Sequence, residues 1–333
     1  LGVLQPSFTA AMADGEDGPA FEYDEDSGVV TIPERDGNAF HLSVAVRKAT
    51  DAKLSVRGGT RTVSAELQRL HDARGVLRAL QADVDAYNAA SEGDPPAEGS
   101  PEEALRRYRR HRLLQQAPSY GVRLAGGPGA GPVRVRGLHE LLALVDDAFA
   151  AQDAEARRMI DRGECDFASL GELFRPGREL LDQGAATGVP GAPTGFRCRA
   201  SYLRRTRTVQ GGEGRTFYVA LECVVAVGSA LAVVEYTHLV ADYTGTRPVH
   251  TQDGFSLLTR GAREALAARG RLYAEVALGP TLMEHGPGDF EAAGPGGSRT
   301  VAGRVMVDTS GALAHGNVHV GRAGGAAADA ASA

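Results

Sequence analysis

Three cysteines, Cys165, Cys198 and Cys223, are too few and too scattered in 333 residues to build a disulfide framework. Free thiols in a reducing compartment are the expectation. Long apolar runs are missing too. The most hydrophobic stretch, residues 217–234, is interrupted by Glu222 and by Gly228-Ser229, which suits two strands better than a membrane-spanning helix. An excess of positive charge is also absent. The 36 Lys and Arg stand against 42 Asp and Glu, a formal net charge of −6, so nothing global draws the chain to nucleic acid or anionic lipid. The chain opens on Leu1 and has no basic segment before an apolar run near its start. A signal peptide is therefore not expected, and a truncated or processed reading frame fits such a start. These absences point to an intracellular protein, cytoplasmic or nuclear.

Catalytic signatures are missing as well. The glycine-rich stretch from Gly126 to Pro132 carries Pro132 and Val133 where a phosphate-binding loop needs Lys and then Ser or Thr. Proline also removes an amide donor such a loop requires, so the stretch reads as a linker. Residues 141–147, Leu-Leu-Ala-Leu-Val-Asp-Asp, imitate the apolar strand and acidic pair that hold magnesium in P-loop ATPases. Their spacing is helical, however, which makes Asp146 and Asp147 solvated acids on an amphipathic helix. His315 and His319 align only on a helix, and their glycine-flanked, β-prone surroundings argue against one. Gly184 and Gly188 have the spacing of a nucleophile elbow, with Ala186 in the nucleophile's place. Cys165 lies between Glu164 and Asp166, acidic company that disfavours a thiolate. No catalytic, cofactor-binding or metal-binding residue is expected, and no cofactor.

What is present is an α+β pattern. A strand is predicted over 28–32 and another over 40–47, where Phe40, Leu42, Val44 and Val46 alternate with polar residues. A helix follows over 64–87, with Leu67, Leu70, Leu77, Leu80, Val84 and Tyr87 on one face. After a polar linker at 91–100, Ser100, Pro101 and Glu103 form a helix-start signature. The spacing predicts one helix over 138–162, ended by Gly163, and a short one from a cap at Asp166 to Phe174. Beyond it strands dominate, with alternation from Phe196 to Tyr202 and a two-residue Gly228-Ser229 hairpin between 216–227 and 230–237. A helix is predicted near 262–268, then strands over 271–278 and 301–309. Two basic runs stand out. Arg106 to Arg112 is expected to be a solvated helix face, and Arg204 to Arg207 a strand end guarding a sheet edge.

The fold expected is therefore a helical N-terminal half followed by a mostly antiparallel, β-rich C-terminal domain, sandwich- or barrel-like. Residues 1–20 and 311–333 are expected to be disordered, and 21–132 to form an N-terminal α/β region. Within 138–310, the stretch from Asp166 to Gly177 resembles the opening motif of domain of unknown function 7025. That region precedes the ATPase module in many AAA-type ATPases. Leu170, Leu173, Phe174, Pro176 and Gly177 fit its pattern, with Gly171 where tryptophan is usual. Leu221-Glu222-Cys223, the 243–249 segment, Arg269-Gly270 and 301–308 follow in the family's order. The resemblance implies a non-catalytic domain that binds a protein partner or couples one to a neighbouring motor. It leaves either a standalone homologue or a fragment of a longer ATPase, with nucleotide turnover expected only if a motor follows. A nucleic-acid contact through the Arg runs is the competing expectation.

Overall fold

A computed structural model describes residues 19–34, 42–57, 59–92, 96–117, 133–182, 194–207, 213–227, 230–251, 254–285, 291–294, 297–300 and 303–307. The first unit is a four-stranded antiparallel sheet. Strands β1 (Glu22–Asp24), β2 (Val29–Pro33), β3 (Leu54–Arg57) and β4 (Thr60–Glu66) lie in the order β1-β2-β4-β3. Between β2 and β3 runs helix α1 (Leu42–Thr50), where alternation predicts a strand. Leu42, Ser43, Val44, Ala45 and Val46 are all buried. This first half of the helix is covered on every side and needs no polar stripe, and small Ser43 and Ala45 between larger apolar residues imitate a period of two. Phe40 and His41 lie outside the described residues.

The chain passes from β4 straight into helix α2 (Leu67–Glu92), three residues later than the spacing predicts, because Ser64 is still paired with Thr31 in the sheet. Leu70, Leu77 and Val84 of α2 share the first core with Val30, Ile32, Val46 and Val63. Each fully buried aliphatic side chain contributes about 1.5–3 kcal/mol. Helix α3 (Pro101–Gln116) starts as predicted. The Ser100 hydroxyl accepts from the Glu103 amide, and the Glu103 carboxylate accepts from the Gly99 amide. The predicted single helix over 138–162 is two, α4 (Leu138–Ala148) and α5 (Ala150–Asp161). They break at Phe149, whose φ of −107° leaves the helical region. Leu138, Leu141 and Val145 of α4 join the first core, so that core reaches past the glycine-rich stretch expected to separate the two regions.

The second unit is β-rich. It opens with β5 (Glu164–Asp166), the short α6 (Leu170–Leu173) and β6 (Glu179–Asp182). The long strands β7 (Thr194–Arg207), β8 (Glu213–Val227) and β9 (Ala230–Ala241) follow, and then β10 (Thr246–Pro248) and β11 (Phe255–Leu257). The sheet order β11-β6-β7-β8-β9 is antiparallel throughout, and β10 pairs with β5. Val227 pairs with Ala230, the register that the predicted two-residue hairpin demands. A bulge between Cys198 and Ala200 interrupts the pairing of β7 with β8. Phe174, Phe196, Val219, Leu221 and Phe255 lie in the second core.

Helix α7 (Arg260–Ala277), capped by Thr259, runs through residues 271–277, where a strand is predicted. Leu266, Tyr273 and Ala277 recur at helical spacing, and the alternation of 272–276 is incidental to it. Antiparallel pairs β12 (Thr281–His285) with β15 (Gly303–Val307) and β13 (Glu291–Gly294) with β14 (Gly297–Thr300) complete the described chain. The α+β expectation holds: helices lie mainly in the N-terminal half, strands mostly in the C-terminal half, and the sheets are antiparallel.

Helix α2 joins the units. A Cβ at Gly75 would stand 2.2 Å from the Ser201 carbonyl oxygen of β7, so only glycine lets helix backbone and bulged strand approach this closely. Cross-strand neighbours share a face, so Arg197, Glu222 and Glu235 point to one side of the sheet while Phe196 and Leu221 point to the core. Arg109 and Arg112 of α3 reach Glu222 and Glu235, and Arg263 of α7 reaches Glu179, which pairs with Arg197. Helices α3 and α7 thus cover the same face.

Candidate functional site

Helix α2 carries charge on two of its sides. On the first, His71, Arg74 and Arg78 stand at i, i+3 and i+7, facing α4, α5 and α6. Arg74, buried, donates to both oxygens of buried Asp153 and, at 2.8 Å, to Glu172. Arg157 and Arg175 approach the other Glu172 oxygen at 3.3 and 3.2 Å. His71 Nε2 lies 3.1 Å from Asp153, and its ring stacks on Phe149 at 4.0 Å. Burial and the Arg74 charge hold the His71 pKa below its ordinary value, against the pull of Asp153. Burial pushes the Asp153 carboxyl up, but its bonds to Arg74 and His71 bring it below the ordinary carboxylate value.

These groups line a cleft of about 600 Å³. Its other charges are engaged as well: Arg78 with Asp146, Arg205 with Asp72, Arg215 with Asp242, Glu155 with Arg158, and Asp166 with the Ser169 amide. Each charged side chain lining it has at least one such partner, although one Glu172 oxygen accepts no hydrogen bond. A Cβ at Gly171 would meet only Arg74, at 3.9 Å.

On its second side, α2 presents Asp83 to Arg199 of β7, and Glu235 of β9 accepts from Arg112. Burial raises the Asp83 pKa, with Arg199 and Arg112 opposing it. Glu222 differs from every acid in the first cluster. It is 3% exposed, and neither carboxyl oxygen accepts a hydrogen bond. Arg109 is 3.6 Å away, too far for one. Burial raises the Glu222 pKa, with Arg109, Arg197 and Arg199 pulling it back. Glu222 lies in the floor of a second cleft, about 380 Å³, between the N-terminal turns of α3 and helix α7. Leu105, Val224, Val233, Leu258 and Leu266 give this groove apolar walls.

The predicted features distribute unevenly over these sites. Asp146 sits on helix α4 as expected, but it is ion-paired to Arg78 at 2.5 Å. The Arg106 to Arg112 run is only partly a solvated face: Arg109 and Arg112 turn to the sheet, and Arg110 stacks on Tyr87. Arg205 of the second run binds Asp72 of α2. Cys165 and Cys198 are buried. Burial and Asp166 push Cys165 up to about 12, and burial and Glu222 push Cys223 up to about 11. Neither supplies a thiolate near neutrality. Gly126 to Pro132, Gly184 to Gly188, His315, His319, residues 1–18 and 308–333 lie outside the described residues.

Sequence reasoning passed over Arg74, Asp153, Glu172 and Glu222 as site residues. Two of them left a signal. Arg74 interrupts the apolar stripe of α2 between Leu70 and Leu77, and Glu222 is the lone charge between Phe217 and Val227. Among the described residues no group of three or more His, Cys, Asp or Glu could hold a metal ion, and no helix is long and apolar enough to cross a membrane. No protein-family model, curated protein or solved structure matches this chain.

Proposed function

We propose that this chain is a non-catalytic recognition protein that docks a partner segment in the groove between α3 and α7. The observation that carries the reading is the state of α7. This 18-residue amphipathic helix buries only Ala277, and beside it Val224, which lines the groove, is 37% exposed. An apolar stripe of that length is normally covered. A groove between a helix and its neighbours is where an amphipathic or extended peptide finds both walls and floor. The larger cleft lends no support to an enzyme, because its ionised groups neutralise one another. The reading accords with what the resemblance to domain of unknown function 7025 implies, a region that recognises instead of reacting.

The test is selection of displayed random peptides on the full chain, followed by binding to a Leu266→Arg variant. Leu266 is a groove wall on a largely exposed helix, so the fold is expected to survive, which circular dichroism checks. Selected peptides should lose at least about tenfold in affinity for the variant, the effect of a buried charge in an apolar contact. Peptides that bind both forms alike, or no enrichment at all, would refute the reading.

A further inference from the structure

Resting on the groove reading, we infer that the partner inserts an arginine side chain, its stem along Leu105, Val224 and Leu266 and its guanidinium on Glu222. A buried carboxylate ordinarily accepts hydrogen bonds on both oxygens, and an unfilled one carries its full desolvation cost. Glu222 has neither oxygen filled, although the cluster next to it fills those of Asp153 from Arg74. Two vacant oxygens on one carboxylate match the forked donor of a guanidinium, which a single ammonium cannot duplicate. The groove also suits the rest of such a side chain, since a three-carbon stem wants apolar walls and a polar end.

The groove's carboxylates are Glu102, Glu179 and Glu222, and its guanidiniums are Arg197 and Arg263. Arg263 is spent on Glu179, at 2.8 Å. That leaves Glu102 and Glu222 against Arg197. Arg109 also stands 3.6 Å from Glu222, so the groove holds no net negative excess, and what marks it for a cation is the pair of unfilled Glu222 oxygens. The Arg197 side chain donates no hydrogen bond among the described residues and is only half-buried, so it can swing from Glu222 as the incoming head arrives. Two other candidates are weaker. The 600 Å³ cleft has its charges matched internally. The edge strand β9 presents twelve residues without a bulge, but nothing beside it distinguishes one occupant from another.

The experiment measures calorimetric affinities of the full chain for four six-carbon probes: hexylguanidine, hexylamine, 1-hexanol and hexanoate. In the native chain hexylguanidine should bind tightest, about tenfold or more above 1-hexanol, the size of a charge-assisted hydrogen bond. Hexanoate should bind weakest. In Glu222→Gln the guanidine preference should vanish while 1-hexanol keeps its affinity. Hexanoate binding tightest would hand the groove to Arg197 and overturn the assignment. So would equal affinities for guanidine and alcohol, absence of binding by all four, or a preference that survives Glu222→Gln. The native ranking alone decides if the variant does not fold. Groove-dependent peptides that lack arginine would sink this inference and leave the docking reading standing, whereas peptides indifferent to Leu266→Arg would remove both.

Discussion

The two charged clusters flanking α2 use the same residue types to opposite ends. Between α2, α5 and α6, Arg74 fills both oxygens of Asp153 and one of Glu172, whose other oxygen faces Arg157 and Arg175, and His71 completes the set. Between α3, α7 and the sheet, Glu222 is as deeply buried yet accepts nothing. A carboxylate whose bonds are made inside the protein holds elements together. One whose bonds are unmade weakens the fold and remains available to a visitor. The lesson is that burial of charge does not distinguish scaffold from site; the occupancy of its hydrogen bonds does.

The sharpest way to break the comparison is Arg74→Met. It keeps the stem's volume but strands Asp153 and Glu172 without their shared donor, and it should cost about 3–5 kcal/mol in urea unfolding. A cost under about 1 kcal/mol would mean the first cluster is not the clamp its geometry describes.

A smaller effect concerns acid. The folded-state pKa of His71 is lowered from 6.5, so its contribution to stability is complete above that pH and is lost as the pH falls below it. Asp153, lowered from 3.8, adds a second loss below that value. The unfolding midpoint should decline from pH 7.5 to 5, and less steeply in His71→Gln. Identical slopes would show that His71 does not titrate with folding.

The smallest effect has the opposite sign. Glu222 is raised from 4.5, so its cost is absent below that pH, grows as the pH rises above it and is complete once the carboxyl ionises in the folded state. The stability of Glu222→Gln relative to the native chain should therefore improve from pH 4.5 to 7, by a fraction of the Arg74 loss. A difference that is flat with pH would indicate that Glu222 is satisfied after all.

Much of the fold was legible in the sequence because local chemistry determines it. The Ser100 to Glu103 helix start, the hairpin around residues 228–229 and the stop at Gly163, whose φ is +85°, each follow from a few adjacent residues. Helix α1 was not legible, since burial of its first five residues left no polar stripe over 42–46, and the polar residues that mark its exposed side come only at Arg47 and Lys48. The join at Phe149 was hidden because nothing but its contact with His71, 78 positions earlier, distinguishes it from the helical residues beside it. The clusters were half legible: Arg74 and Glu222 announce themselves as charges in apolar company, but Asp153 looks like any surface acid until α2 is laid against it. Its donor comes from 79 positions away, and no pattern along the chain encodes that distance.

The contact between Gly75 and Ser201 has a consequence for recognising kin. Two backbones touch there with no side chain between them, so even a single added methyl at residue 75 is a steric veto. A distant cousin could change nearly every other residue of α2 and β7 and still be betrayed by one missing side chain midway along a long helix, opposite a kink in a strand. That signature exists in space, where comparison of letters does not look.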